Sequence, residues 1–260
     1  MIFFVSDMHF GRSDVATERQ HEDALISCLR HFEDQISHLV LLGDVYDQYI
    51  EYPNLVPKGI ARFKGLLASW SDRGVPITYL IGNHDPWHID YFQTELGVNV
   101  VFDAYTEPLL GKHVYLHHGD KIASRFPLNT FLKRLLQHPI PVFLYRTLLP
   151  GDSGYRLARW VNQRIHSDVL NEGVTLRLRQ YAESLISEQN YQLVAMGHSH
   201  QATLENFGAG MYLNTGCWRL FRTFACLYED ELKLYEWDND SQEPVVLNKA
   251  SFVQEIETSG

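Results

Sequence analysis

Ile2-Phe3-Phe4-Val5-Ser6-Asp7-Met8-His9 is the stretch from which the fold can be read. Four β-branched or aromatic residues in a row, without polar alternation, describe a strand covered on both faces, the kind found in parallel sheets flanked by helices. The run stops at Ser6, and two side chains of metal-ligand type follow at once, Asp7 and His9. The pattern then recurs. Apolar runs at 39–42, 77–81, 114–118 and 193–196 end in Gly43-Asp44, Gly82-Asn83-His84-Asp85, His118-Gly119-Asp120 and Gly197-His198-Ser199-His200. Between the early runs lie helical stretches, 21–36 with Leu25, Ile26, Leu29, Phe32 and Ile36 on one side, and 59–70 with Ile60, Phe63, Leu66, Leu67 and Trp70 likewise. The first half therefore reads βαβαβ. After residue 210 the pattern changes to adjacent strands, 211–214, 223–228 and 232–237, with Glu229-Asp230 as a turn, and from Asp238 the chain reads as a polar, partly frayed tail. An α/β fold, sheet against sheet with helices outside, is the expected arrangement.

Spacing joins the five islands. His9 to Asp44 is 35 residues, Asp44 to Asn83 is 39 and Asn83 to His118 is 35, about one strand-helix repeat each, whereas His118 to His198 is 80. The surplus of roughly one more repeat coincides with a segment of its own character, 122–172, punctuated by Pro127, Pro139, Pro141 and Pro150-Gly151. Within it Leu128, Phe131, Leu132, Leu135 and Leu136 fall at helical spacing, and Arg156, Arg159 and Arg164 mark a second helix. The single domain 1–260 is thus expected to carry a helical insertion that emerges beside the site. Charge follows the same division. Residues 121–179 hold ten of the 22 Lys and Arg and three of the 32 Asp and Glu, a net of +7 against −17 for the rest. A total of −10 argues against general nucleic-acid binding, which needs clustered cations, while a basic insertion suits an anionic ligand or an anionic membrane surface.

Ligands of open α/β sheets bind beyond the carboxyl ends of the strands, so all five islands are expected to converge. Their donors, two Asp, one Asn and four His, are too many for one tetrahedral ion and suit two cations sharing a carboxylate. The assignment is Asp7, His9 and His200 to one ion, Asn83, His118 and His198 to the other, and Asp44 to the bridge. Strand alternation is expected to put Asp7 and His9 on one side, and His198 and His200 likewise, and Gly43, Gly82, Gly119 and Gly197 to let backbone approach the ions. Two such ions activate water and neutralise phosphate oxygens, the logic of phosphoester hydrolysis. His84 is placed to donate a hydrogen bond or proton to the phosphate or leaving oxygen, and Asp85 and Asp120 to orient imidazoles. His21, His31, His38, His88, His113, His117, His138 and His166 lack this argument. The three cysteines, without a Cys-x-x-Cys pair, read as small apolar residues. No apolar run is long enough for a membrane span, and Asp7 interrupts the apolar start, so a cytoplasmic protein is expected.

Asp7-x-His9, Gly43-Asp44-x-x-Asp47, Gly82-Asn83-His84-Asp85, His118-Gly119-Asp120 and Gly197-His198-x-His200 together resemble the calcineurin-like metallophosphoesterase superfamily. The resemblance implies a four-layer α-β-β-α sandwich, a dinuclear centre, most often manganese (Mn2+), and the ligand assignment above. Within the superfamily the chain is most similar to the UDP-2,3-diacylglucosamine diphosphatases of lipid A synthesis, through Ser6-Asp7-Met8-His9-Phe10, Leu42-Gly43-Asp44-Val45-Tyr46-Asp47 and the helical insertion between the fourth and fifth motifs. That likeness implies hydrolysis of the pyrophosphate of a lipid-linked nucleotide sugar to UMP and an acylated sugar 1-phosphate, by a peripheral protein at the cytoplasmic face of the inner membrane. Asn83, His84, Arg125, Arg156, Arg159 and Arg164 then become substrate contacts, with arginines toward phosphate and the insertion's apolar face toward acyl chains. Two other readings stay open: a soluble phosphodiesterase or phosphatase of nucleotides, phosphoproteins or DNA ends, and a scaffold that keeps the fold without the chemistry.

Overall fold

The computed structural model describes residues 1–123, 139–165 and 171–252. Two sheets face each other. The larger has seven strands in the order β11-β10-β9-β1-β2-β3-β4, and the smaller has four in the order β5-β6-β8-β7. In the first, β1 (Ile2–Val5), β2 (His38–Leu41), β3 (Ile77–Leu80) and β4 (Asn99–Val101) run parallel, while β9 (Thr223–Leu227), β10 (Glu231–Asp238) and β11 (Glu243–Ser251) extend it antiparallel. In the second, β5 (Val114–His117), β6 (Leu193–Met196) and β8 (Met211–Asn214) are parallel and β7 (Thr203–Asn206) is antiparallel.

Period-two alternation makes the layers. Ile2 and Phe4 of β1 join Val40, Leu116, Ala195, Leu213, Ala225 and Leu234 in the core between the sheets. Phe3 and Val5 turn the other way, onto α1 (Val15–His31) and α2 (Ala61–Asp72). On the far side of the second sheet, Val194, Met196 and Tyr212 pack on Leu178, Ala182, Leu185 and Ile186 of α7 (Glu172–Gln189). The result is α-β-β-α, as expected from the sequence. Five further helices complete the described residues: α3 (Tyr91–Thr94), α4 (Asp120–Ala123), α5 (Pro139–Leu148) and α6 (Gly151–Ile165), followed after α7 by α8 (Trp218–Phe221).

Several boundaries differ from expectation for local reasons. Helix α1 begins at Val15 rather than residue 21, because the Asp14 side chain accepts hydrogen bonds from the Ala16 and Thr17 amides and caps the first turn. It ends at His31, before residue 36. Ile60, ahead of α2, offers no cap of its own, and the buried Glu22 of α1 supplies one by accepting from the Arg62 and Phe63 amides. The strands after residue 210 are not one sheet: β8 belongs to the smaller sheet and β9 to the larger. The polar tail is not frayed from Asp238, since β11 pairs with β10 along its length through a bulge near Leu234 and Tyr235. β4 and β7, unanticipated, are three and four residues long. The three cysteines are buried and none is disulfide-bonded. The helix expected over Leu128 to Leu136 lies outside the described residues, as do Arg125, His138 and His166.

Candidate metal centre

Every one of the five islands sits where a strand ends, and both sheets contribute. Asp7 and His9 follow β1, Asp44 follows β2, and Asn83 and His84 follow β3; from the opposite sheet His118 follows β5, and His198 and His200 follow β6. They meet. Asp7, His9 and His200 bring ligand atoms within 4.8 Å of one another, and so do Asp44, His118 and His198; a third such set, His9, Asp44 and His84, spans the two. Asp7 Oδ1 lies 3.2 Å from His200 Nε2 and 3.6 Å from His9 Nε2, while Asp44 Oδ2 lies 3.1 Å from His118 Nε2 and 4.0 Å from His9 Nε2. Asp44 is therefore central.

The way these side chains are presented corrects the expectation of an extended stretch. Among the described residues, ten non-glycine residues have positive φ, and five of them are Asp7, His9, Asp44, His198 and His200. The left-handed region costs a non-glycine residue about 1–3 kcal/mol. Strain concentrated on the donors, rather than strand alternation, aims them at one point. Glycine is required beside them. Gly43 has φ of 92°, and a Cβ there would strike the His118 imidazole; a Cβ on Gly82 would strike the Asp44 carboxylate.

Backbone groups fix the tautomers. His118 Nδ1 lies 2.7 Å from the Leu42 carbonyl, which can only accept, so Nδ1 carries a proton and Nε2 faces Asp44, whose charge favours the protonated imidazole against the cost of burial. His84 Nδ1 donates in the same manner to the Asp47 carbonyl at 2.9 Å, and the His84 amide donates to Asp44 Oδ1 at 2.9 Å. Among the described residues no imidazole hydrogen-bonds to the Asp85 carboxylate. Its carboxylate accepts from the Gly82 and Val45 amides and the Tyr79 hydroxyl, tying the loop after β2 to the loop after β3. Burial and the Asp44 charge raise its pKa to about 6. Asp120 is buried, and its charge favours the protonated forms of His117, His118 and His198. His117 turns away from the cluster, accepting from the Gly119 amide, and burial lowers its pKa to about 4.

The donors fit a pair of divalent cations. Burial opposes charge on Asp7 and Asp44, yet the imidazoles around them hold both carboxyls below the usual range. Burial and the nearby His118 lower His198 to about 3, so it presents a neutral nitrogen. Asn83 Oδ1 is buried with no hydrogen-bond partner among the described residues, and Asp7 Oδ1 and His118 Nε2 are met only by other donors of the cluster, outside ordinary hydrogen-bond geometry. Buried polar atoms are ordinarily paired in good geometry, so atoms left like this among closely packed donors need something else to satisfy them.

A profile of the calcineurin-like phosphoesterases matches residues 1–202, which contain all five islands. The chain belongs to this family. It is a phosphoesterase and thus a hydrolase, and the scaffold reading falls away. The UDP-2,3-diacylglucosamine hydrolase of Porphyromonas gingivalis is 35% identical over 151 residues, 57% of each chain. That of Stutzerimonas stutzeri is 28% identical over 210 residues, 77% of this phosphoesterase and 82% of the relative. The alignment to the first thus spans a little over half of that relative's length. Vacuolar Protein Sorting 29 from Cryptosporidium parvum superposes over 97% of both chains with a TM-score of 0.48 and 13% identity, too loosely to bear on the site.

Around the cluster, residues of the motifs meet Arg12 and Thr215, which no motif announced. Asp47 Oδ1 is 3.7 Å from Arg12, and the Ser6 hydroxyl donates to Asp7 Oδ2 and lies 2.7 Å from the Thr215 hydroxyl. Helices α5 and α6 dock on the same loops: Arg146 donates to the Trp87 carbonyl at 2.9 Å, Arg159 reaches the Arg12 carbonyl at 3.5 Å, and the Tyr155 hydroxyl would be 3.6 Å from a Cβ on Gly11. Arg156 is exposed on α6, and Arg164 falls in its last turn.

Proposed function

We propose that this phosphoesterase hydrolyses the pyrophosphate of UDP-2,3-diacylglucosamine at a dinuclear centre, giving UMP and 2,3-diacylglucosamine 1-phosphate. Asp7, His9 and His200 would hold one cation, Asn83, His118 and His198 the other, and Asp44 would bridge them, with manganese as the preferred metal. The observation that carries the reading is the pair of triads, Asp7-His9-His200 and Asp44-His118-His198, linked through the third set His9-Asp44-His84 and set beneath basic and apolar helices that rest on the loops bearing the donors. When bound, the cations supply charge for the phosphate oxygens and make water acidic enough to attack at neutral pH.

The chain's own groups supply the rest. Asp44 stays ionised between them, and the Leu42 carbonyl holds the His118 ring with Nε2 aimed inward. The Asp47 carbonyl fixes His84 with Nε2 on the site side, and in its imidazolium form that nitrogen gives a hydrogen bond or a proton to the departing oxygen. Helices α5 and α6 favour an amphiphilic substrate. Ile140, Phe143, Leu144, Leu148, Leu157 and Trp160 are exposed there, alongside Arg156. About 0.8 kcal/mol accrues per buried CH₂, so partial cover of two acyl chains would outweigh most polar contacts. The same surface would rest on an anionic leaflet, placing the protein peripherally at the inner membrane's cytoplasmic face, with the 122–172 segment as a lid. No helix of the described residues is long and apolar enough to cross a membrane.

The test is turnover of UDP-2,3-diacylglucosamine in mixed micelles by manganese-loaded protein, with UMP read by chromatography and bis-p-nitrophenyl phosphate as a small reference diester. The expected result is UMP release that exceeds reference turnover by orders of magnitude in kcat/KM and vanishes in Asp44→Ala. Efficient cleavage of soluble phosphodiesters without UMP release would overturn the lipid reading in favour of a nucleotide or phosphoprotein phosphoesterase.

A further inference from the structure

The loop between β1 and α1 carries two donors, Asp7 and His9, and both are left-handed. Their amides are held by the neighbouring loop: Asp7 donates to the Gly43 carbonyl at 3.1 Å and His9 to the Asp44 carbonyl at 3.0 Å. Their carbonyls are held from elsewhere. The backbone amide of Arg219 donates to the Asp7 carbonyl at 3.2 Å, and Nη1 of the same residue donates to the His9 carbonyl at 3.3 Å. One residue, in the short helix α8 and beyond the end of the family match, thus takes the carbonyls of both strained donors.

The guanidinium is itself fixed. Nη1 also donates to Glu18 Oε1 at 3.2 Å, and Nη2 donates to Ser13 Oγ at 2.5 Å. The Glu18 carboxylate, in the first turn of α1, accepts from the Gly11 amide at 2.8 Å and the Ser13 amide at 2.7 Å. The side chains are 11% and 16% exposed, so this ion pair is poorly screened by solvent. A planar fork reaching three acceptors at once is a task for arginine, because a lysine ammonium has no fixed geometry. Among the described residues the hydrogen bonds of this pair fall on the segment 7–18 and on none of Asp44, Asn83, His118 or His198.

We propose that Arg219, locked by Glu18, is a positioning residue that fixes the Asp7 and His9 half of the dinuclear centre and so sets the affinity of one cation and not the other. The inference rests on the two-cation reading above. Without the guanidinium the His9 carbonyl loses its side-chain partner and the loop relaxes at His9, while Asp7 keeps the Arg219 amide and His118 keeps the Leu42 carbonyl. Groups that orient metal ligands are ordinarily worth about 10–100-fold in metal affinity.

Calorimetric titration of manganese(II) into the metal-free protein tests this without turnover. Wild type is expected to bind two ions, and His200→Ala defines the isotherm that remains when the first site is removed. Arg219→Met should weaken one site at least about tenfold and leave the other within about twofold, approaching the His200→Ala isotherm. Arg219→Lys should recover part of the loss, and Glu18→Gln, which keeps an acceptor but removes the charge, should produce a smaller loss at the same site. Should Arg219→Met not fold, the lysine and glutamine variants decide the matter alone. Equal weakening of both sites, or none, overturns the positioning role. A wild-type stoichiometry below two would instead remove the two-cation reading, and the clamp's selectivity with it.

Discussion

Gly43 shows how much of the centre depends on a missing side chain. Its φ is positive and a methyl group there would meet the His118 ring, so Gly43→Ala is expected to lose about 1–3 kcal/mol from backbone strain alone and to displace His118. Urea unfolding together with kcat on bis-p-nitrophenyl phosphate would show it; wild-type stability and turnover would mean the loop accommodates a Cβ. His88 makes a second residue-scale case. It is stacked on Tyr49 with ring centroids 4.2 Å apart, its ring nitrogens have no hydrogen bond of ordinary geometry among the described residues, and burial, followed by the Arg146 charge, lowers its pKa to about 3. The unfolded chain takes up this proton near pH 6.5 and the folded one near 3. Its contribution is therefore complete above pH 6.5 and is withdrawn as pH falls toward 3, by about 2 kcal/mol at pH 5. His88→Phe should shrink the stability difference between pH 7 and pH 5 by that amount, and an unchanged difference would show that His88 is hydrated. The donors were legible because each stands directly after an apolar run, whereas their left-handed presentation was not, since sequence carries no sign of φ for Asp or His. Arg219 was invisible for a different reason: its partners lie about 210 positions away.

At the scale of elements, continuous apolar runs announced every parallel strand that carries a donor. The strands that were missed are short or half-exposed. β11 alternates poorly and exposes Val245, Val246 and Leu247, as suits an edge strand of which one side faces solvent. Helix α6 was legible from its arginine spacing, but its contacts with the loop at Gly11 and Arg12 were not. They bear on the lid reading. Arg159 is half-buried against the Arg12 carbonyl and Arg156 is exposed, so Arg156→Glu alters the lid's field with little effect on folding, while Arg159→Glu also loosens the helix. For UDP-2,3-diacylglucosamine, KM is expected to rise several-fold in Arg156→Glu and further in Arg159→Glu. For bis-p-nitrophenyl phosphate both should stay near wild type. Equal changes on the two substrates would assign these arginines to the fold rather than to an anionic lipid.

For the whole molecule, the centre is a joint between two sheets. Each proposed cation draws ligands from both: Asp7 and His9 with His200, and Asn83 and Asp44 with His118 and His198. The core between the sheets holds them together along their length, but at their carboxyl ends the contact is a nest of buried carboxylates and imidazoles that have little besides one another to satisfy them. Desolvated charge of that kind opposes folding until cations satisfy it. Metal binding should therefore stabilise the sandwich as a unit. A ligand present at about 100 times its Kd adds ~2.7 kcal/mol per site, and each kcal/mol moves Tm by about 2–4 °C in a chain near this size. Removing manganese with a chelator is expected to lower Tm by roughly 5 °C or more, and in Asp44→Ala, which strips the shared ligand, most of that difference should vanish. Hydrogen exchange locates the effect. Protection lost on chelation should concentrate at the ends of β1, β2, β5 and β6 and spare β10 and β11, which lie at the far edge of the larger sheet. A uniform loss over all strands, or no change in Tm, would mean that the sheets are joined by their apolar core alone and that the donors merely sit across a seam already closed.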